Sequence, residues 1–394
     1  MKKLLLIGIN TRSMLNSALK LNFEIYSTSY FSTQDTPQIK NQKIILNESA
    51  DESCGLFEEE FSSEHILDIS EDYINEVDYI IPISGVSPSD FAKKDQKKIL
   101  GNKNVEKIED KFKFYKEIKN EFLTPATFKV NDIDEANEIM KNCPETRYIL
   151  KPLQGSGGYN INLLDNETLF EINYDEKIIM QEYVEGINLS SSILANEREY
   201  KTIMNSRLLT QHDFEKNNSY LYVGNILPLD EKTIMSNIEN ISEINETMKI
   251  TSEKLGEKFN LIGSNGVDYI YNDNGLYVIE INPRIQGTFE CIERSLKINM
   301  LDAHIKACHG KIIDIPQAYN YSYKKIIYSP CAMKYEKINL DNIFDLPHDG
   351  SITEKSEPLL TIIDEGKNFK KLYEKVELAS ETVNYQARKH QVDE

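Results

Sequence analysis

The stretch 266–288 constrains the fold of this chain more than any other. Two apolar runs, Val267 to Tyr271 and Leu276 to Ile281, flank Asn272-Asp273-Asn274-Gly275, a polar, glycine-ended sequence of the kind that closes hairpins. Two adjacent antiparallel strands are expected. Asp268 stands near the start of the first, while Glu280 and Asn282 stand at the end of the second, two residues apart and so on one face. Three oxygen ligands thus converge across one strand pair, a donor set that suits Mg²⁺ when water and phosphate complete its shell. Arg284, directly after Pro283, can bring a fixed positive charge beside that position, where a transferring phosphoryl group needs one. Taken alone, the stretch also fits a hairpin with ordinary surface carboxylates, and the rest of the chain has to decide.

At 394 residues the chain is long enough for two or three domains. Its formal charge of −19, from 64 acidic and 45 basic residues, argues against a nucleic-acid or anionic-membrane surface, which would need a basic patch. A nucleotide pocket needs only a few local cations and is compatible with that balance. No apolar run approaches a spanning helix, and Leu4 to Ile7 after Met1-Lys2-Lys3 is too short for a signal-peptide core, so a cytoplasmic protein is expected. The five cysteines (Cys54, Cys143, Cys291, Cys308, Cys331) are scattered without a C-x-x-C pair, which indicates neither a disulfide framework nor a zinc site.

The chain opens with an apolar run, Lys3 to Ile9, a helical pattern (Met14, Leu15, Ala18) and a second strand at Phe23 to Ser27, a β-α-β start that predicts a parallel sheet. Only Gly8 of a G-x-G-x-x-G fingerprint is present, which argues against bound NAD. A strand at Val77 to Ile83 leads into Ser84-Gly85-Val86-Ser87-Pro88, a loop at the carboxyl end of a strand, where open α/β sheets place ligands. A boundary is expected near residues 100–108, after which Asp110-Lys111 opens a helix carrying Phe112, Phe114 and Ile118. The strand Tyr148 to Pro152 precedes Gly155-Ser156-Gly157-Gly158, a loop whose main-chain N–H groups can approach phosphate closely, with Lys151 as a movable point charge. An apolar strand at Ile178 to Met180 then reaches Gln181-Glu182-Tyr183-Val184 and breaks at Gly186. Beyond it come a hairpin around Asn196 to Glu199, Arg207 as a candidate substrate or phosphate contact, a strand from Tyr220 to Leu227, a long helix from Ile234 to Phe259 and an amphipathic helix near Phe369 to Val383.

The order Asp110-Lys111, Lys151 with the glycine loop, the 178–186 segment, and Asp268…Glu280-x-Asn282-Pro-Arg284 resembles the ATP-grasp superfamily across about residues 110–290. The resemblance implies an α/β chain: an N-terminal parallel-sheet pre-ATP-grasp domain (1–105), a two-subdomain α+β ATP-grasp fold (106–320, lid about 120–185) and a small β-rich C-terminal portion (321–394). It implies ATP and one or two Mg²⁺, with Mn²⁺ as a substitute, the metal being held by Asp268, Glu280 and Asn282. Lys111, Lys151, Gly155, Ser156, Gly157 and Gly158 would handle phosphates. Gln181, Glu182, Tyr183 and Val184 would hold adenine, with Asn188 where many members carry a ribose-binding carboxylate. Catalytic roles fall to Arg284 and Lys151.

Biotin-carboxylase-like members continue N-x-R-I-Q-V-E-H; here Thr288 and Phe289 replace the last two, which counts against bicarbonate chemistry unless Glu290 reaches in. The opening Ile7 to Arg12 and the region 345–366 look most like an archaeal carboxylase-related ATP-grasp group. The implied function is an ATP-dependent carboxylate–amine ligase working through an acylphosphate on small-molecule substrates. The alternatives are a bicarbonate-using carboligase, a small-molecule kinase and, least favoured, a non-catalytic ATP-binding module. Many members dimerise, so a homodimer stands among the expectations, with no nucleic-acid or membrane partner. The six histidines show no obvious partners in the sequence and read as structural or exposed.

Overall fold

The computed structural model describes residues 1–392 except 47–60, 154, 156, 159, 165–177, 215–219, 237 and 239, with the backbone alone at residue 133. Strands β1 (Lys2–Gly8), β2 (Phe23–Phe31), β3 (Asn41–Leu46) and β4 (Tyr79–Pro82) form a parallel sheet in the order β3-β2-β1-β4. Leu4 to Ile7 are fully buried, as a parallel sheet covered on both faces requires. One face packs with helices α1 (Arg12–Ala18), α8 (Phe289–Leu296) and α9 (Met300–Cys308) into a core shared with the rest of the molecule. The other is covered by α2 (Ser63–Ile69) and α3 (Glu71–Glu76).

The part expected to be the lid contains an antiparallel sheet of β5 (Thr127–Val130), β6 (Tyr148–Pro152), β7 (Asn162–Leu163) and β8 (Ile178–Glu182), ordered β5-β8-β6-β7. It has its own small core of Val130, Tyr148, Leu150 and Met180, to which α6 (Ile133–Asn142) contributes Ala136. Two short helices, α4 (Glu106–Glu109) and α5 (Lys111–Ile118), lead into it from the N-terminal sheet.

The centre is one eight-stranded antiparallel sheet, ordered β13-β12-β9-β10-β11-β14-β18-β16. It comprises β9 (Ile187–Ala195), β10 (Tyr200–Thr210), β11 (Tyr222–Leu227), β12 (Gly263–Asn272), β13 (Gly275–Asn282), β14 (Tyr321–Tyr328), β16 (Ile343–Phe344) and β18 (Pro358–Gly366). Thus β14, β16 and β18, from the β-rich end of the chain, continue the sheet that carries the opening hairpin. A small ribbon of β15 (Met333–Lys334) and β17 (Ile352–Thr353) stands beside them. Helix α7 (Ile241–Phe259) covers one end of the sheet and α10 (Phe369–Lys389) the other.

The expected mixed α/β architecture is present, with two differences at helix ends. Helix α7 starts at Ile241 rather than Ile234, because Met235 (φ 54°) and Asn240 (φ 66°) adopt left-handed backbone through which a right-handed helix cannot run. Helix α10 runs past Val383 to Lys389, its buried stripe continuing to Ala387. No helix among the described residues is long and apolar enough to cross a membrane.

Candidate active site

The hairpin register sets the first part of the site. Asp268 on β12 lies directly opposite Glu280 on β13, Gly266 lies opposite Asn282, and a bulge follows Asp268. Asn282 Nδ2 donates to Asp268 Oδ2 at 2.8 Å, and Ser190 Oγ, across on β9, donates to Asp268 Oδ1 at 2.6 Å. Burial, reinforced by the neighbouring Glu280 charge, pushes the Asp268 carboxyl up to about 7, despite those hydrogen bonds and the opposing Arg284. Two carboxylates held face to face and half out of water want a cation. The remaining oxygens, with Asn282 Oδ1 once its amide N–H is engaged, are hard donors that fit Mg²⁺ better than a soft-ligand metal. Among the described residues no group of three His, Cys, Asp or Glu forms a metal cluster; the expected ligands here are two acids and an amide.

Behind Asp268 lies a residue the sequence did not single out. Gln286 Nε2 donates to Ser190 Oγ (3.3 Å) and lies 3.5 Å from Asp268 Oδ1, while its Oε1 accepts from Ser192 Oγ at 3.0 Å. Its amide lies flat on Gly266, where an added Cβ would come within 1.6 Å of Gln286 Cδ. The glycine in the strand was the available signal, since a strand glycine marks a close approach by another group.

The second part is cationic. Lys151 on β6 is 4% exposed, and burial, then the neighbouring Lys111 charge, lower its ammonium to about 8 against the pull of Glu280. Lys111 opens α5 behind an Asp110 cap whose Oδ1 accepts from the Phe112 and Lys113 N–H groups. The Lys111 N–H bonds the Leu153 carbonyl (3.1 Å) and its Nζ the Gly155 carbonyl (2.8 Å), tying the helix start to the glycine loop. Gly155, Gly157 and Gly158 all have positive φ, and a Cβ on Gly158 would meet the Tyr220 carbonyl oxygen at 2.1 Å. The Tyr222 N–H donates to the Gly157 carbonyl at 3.0 Å, so the loop rests on the start of β11. Ser156 lies outside the described residues.

At the expected adenine segment the side chains are already engaged. Gln181 is buried and donates to Thr127 Oγ1 at 2.7 Å. Glu182 donates its N–H to the Ala126 carbonyl and accepts the Ala126 N–H at Oε2. The Tyr183 ring lies under the Arg147 guanidinium at 4.6 Å, and Val184 is buried. Asn188 pairs with Ile270 and shares a strand face with Ser190, two residues nearer the lid.

A cavity of about 340 Å³ joins these parts to the N-terminal sheet, bringing Ser87 of the 84–88 loop together with Glu109, Lys111, Glu280, Asn282 and Arg284. Arg284 makes no hydrogen bond or ion pair among the described residues. Two further residues escaped the sequence reading. Asn102 is buried and donates to Asn265 Oδ1 (2.5 Å) and the Pro283 carbonyl (2.8 Å) while accepting from the Ile262 N–H, which fixes the backbone next to Arg284. His304, expected to be without partners, accepts the Ser264 N–H at Nδ1 (2.9 Å) and donates from Nε2 to the Leu100 carbonyl (3.2 Å); burial lowers it to about 4 and keeps it neutral. Arg207 is occupied by the Ile234 carbonyl and Asp213, and Glu290 by Arg12.

Comparison with known proteins identifies the family. The profile of the ATP-grasp domain matches residues 108–288. An uncharacterised protein of Methanocaldococcus jannaschii is 30% identical over 98% of this chain and 94% of its own length. The tyramine–L-glutamate ligase of the same organism is 29% identical over 43% of this chain, which spans 44% of that enzyme. The biotin carboxylase domain of Hydrogenobacter thermophilus 2-oxoglutarate carboxylase, crystallised with MgADP, ADP and bicarbonate, has a TM-score of 0.69 and 16% identity over 95% of this chain and 88% of its own. With the profile match and a relative similar over nearly the whole of both chains, the chain belongs to the ATP-grasp family.

Proposed function

We propose that this chain is an ATP-dependent carboxylate–amine ligase that forms a C–N bond through an acylphosphate and releases ADP and phosphate. The observation that carries the reading is the shared cavity: Glu280 and Asn282 of the hairpin, Lys111, and Arg284, which has no ion pair among the described residues, line the same space as the ligand-placing loop of the N-terminal sheet. The stretch resembling the tyramine–L-glutamate ligase supports this reaction class, since that enzyme is named for joining an amine and an acid.

Phosphoryl transfer asks a protein chiefly for positioning and charge neutralisation. Asp268, Glu280 and Asn282 would hold one or two Mg²⁺, or Mn²⁺ in its place, which when bound neutralises phosphate oxygens. Lys151 and Lys111 face the triphosphate, Lys111 exchanging the Gly155 carbonyl for phosphate. The main chain of Gly155, Gly157 and Gly158, with Ser156, closes over it. Gln181, Glu182, Tyr183 and Val184 flank adenine, with Asn188 toward the ribose. Arg284 holds the substrate carboxylate and then the charge that develops on the acylphosphate. The bicarbonate reading loses its candidate base, because both Glu290 oxygens are held by Arg12 (2.7 and 2.9 Å) and Thr288 is buried against Ser192. The reading includes a cytoplasmic enzyme, where ATP is supplied, working on small molecules as a homodimer and built from three parts, 1–105, 106–320 and 321–394.

Phosphate release from Mg-ATP, with pooled amino acids, other carboxylates and amines, with and without bicarbonate, tests the proposal beside Glu280→Gln. Release should require both a carboxylate and an amine and fall at least about 100-fold in the variant, with its circular dichroism unchanged. Release that follows bicarbonate, a stable phosphorylated product, or ATP binding without turnover would each replace the ligase by the corresponding alternative.

A further inference from the structure

The cavity is lined by charges of both signs, Lys111 and Arg284 with Asp90, Glu109 and Glu280, and phosphate and metal handling do not explain them all. Lys111 and Arg284 suit anions. Facing them from the N-terminal side is Glu109, the last residue of the one-turn helix α4, anchored by the buried Val105 and Ile108. A site that took only a nucleotide and a carboxylate would gain nothing from an inward carboxylate, which repels both. Glu109 nevertheless forms no ion pair among the described residues. Its one hydrogen bond there comes from Ser87 Oγ at 3.0 Å to Oε2, which leaves Oε1 for a ligand. Ser87 is itself clamped, its N–H bonded to Asp90 Oδ2 at 2.8 Å, so Asp90, although it also lines the cavity, is engaged in shaping the loop.

We propose that Glu109 receives the ammonium group of the amine substrate, which makes that substrate a primary amine entering protonated along the 84–88 loop. The inference rests on the ligase reading and deepens it. Burial, with Asp90 nearby, holds the Glu109 carboxyl above its ordinary range although Arg284 and Lys111 oppose this, so a cation against it completes the set of charges. Such an ammonium lies across the cavity from the carbon that Arg284 holds as acylphosphate. One N–H proton passes to Glu109, the freed nitrogen lone pair attacks the acyl carbon, and the carbon–oxygen bond to the phosphoryl group breaks. Phosphate leaves with that electron pair and takes the second N–H proton, giving the amide.

Hydroxylamine, a small nucleophile that is neutral at pH 7, intercepts an acylphosphate without needing an ammonium site and gives a coloured hydroxamate with Fe³⁺. The test runs wild type and Glu109→Gln with Mg-ATP and pooled amino acids, succinate and citrate, against hydroxylamine or against tyramine, putrescine and glycinamide. Glutamine retains the Ser87 hydrogen bond and the volume. The variant should lose at least tenfold more of its kcat/KM for the amines than for hydroxylamine, with the loss in KM. Equal losses for both nucleophiles, or an unchanged KM for the amines, overturn the assignment of Glu109 while leaving the ligase intact. Absence of hydroxamate in the wild type with every carboxylate would overturn the ligase reading, and this inference with it.

Discussion

Two arginines in this chain each stand two residues after an asparagine, Asn10-Thr11-Arg12 and Asn282-Pro283-Arg284, and the fold treats them in opposite ways. Arg12 is 1% exposed, and its guanidinium meets Glu290 (2.7 and 2.9 Å), Asp345 (2.8 and 3.2 Å), Asp35 (3.6 Å) and the Phe344 ring. Arg284 lines the cavity with no protein partner among the described residues. A buried charge is tolerable only when its donors are satisfied, whereas a catalytic charge must have its donors open at the moment of reaction. The contrast distinguishes a structural cation from the one proposed to be functional more clearly than residue type or local sequence does.

The largest effect should come from Arg12→Met, which leaves Glu290 and Asp345 buried without their cation. A loss of about 3–5 kcal/mol is expected in urea unfolding, and a value near zero would show that the cluster contributes no stability. Arg284→Met should do the reverse, lowering kcat by about 10²–10³-fold while the unfolding midpoint stays within experimental scatter. Equal damage to both properties in either variant would erase the distinction between the two arginines.

A smaller effect extends the comparison to lysine. Lys151 is lowered to about 8 by burial, so at pH 8.5 it is mostly neutral in the free protein, and an arriving triphosphate should restore its charge. Calorimetry of Mg-ATP binding in buffers of different ionisation enthalpy should show uptake of up to one proton at pH 8.5. Uptake should fade at pH 6.5, where Lys151 is already protonated, and vanish in Lys151→Met. Uptake that persists in the variant would move the titration to another group.

The same contrast explains what the sequence could reveal. The hairpin register, with Asp268 across from Glu280, follows from local alternation and a turn, and Lys151 stands on the strand that leads into its glycine loop. Those relations are short in sequence and leave a pattern. Asn102 bonds groups 163 and 181 residues away, and Arg12 reaches Asp345 across 333. An amide or guanidinium at such a distance leaves no periodicity to read. The late start of α7 was hidden for a different reason: apolar spacing continues through Met235 and Ile238, but the backbone turns left-handed at 235 and 240. At the cavity the residue types were visible, yet which charges the fold would pair and which it would leave open was decided by packing.

The Arg12 cluster also bears on how the chain comes off the ribosome. At roughly 5–20 residues per second, Asp345 is made about 17–67 s after Arg12, since 333 residues separate them. Until Glu290 follows, 278 residues after Arg12, Asp35 is the one acid of that cluster already made. The buried ion cluster is therefore complete only once the segment that carries Asp345 has been made.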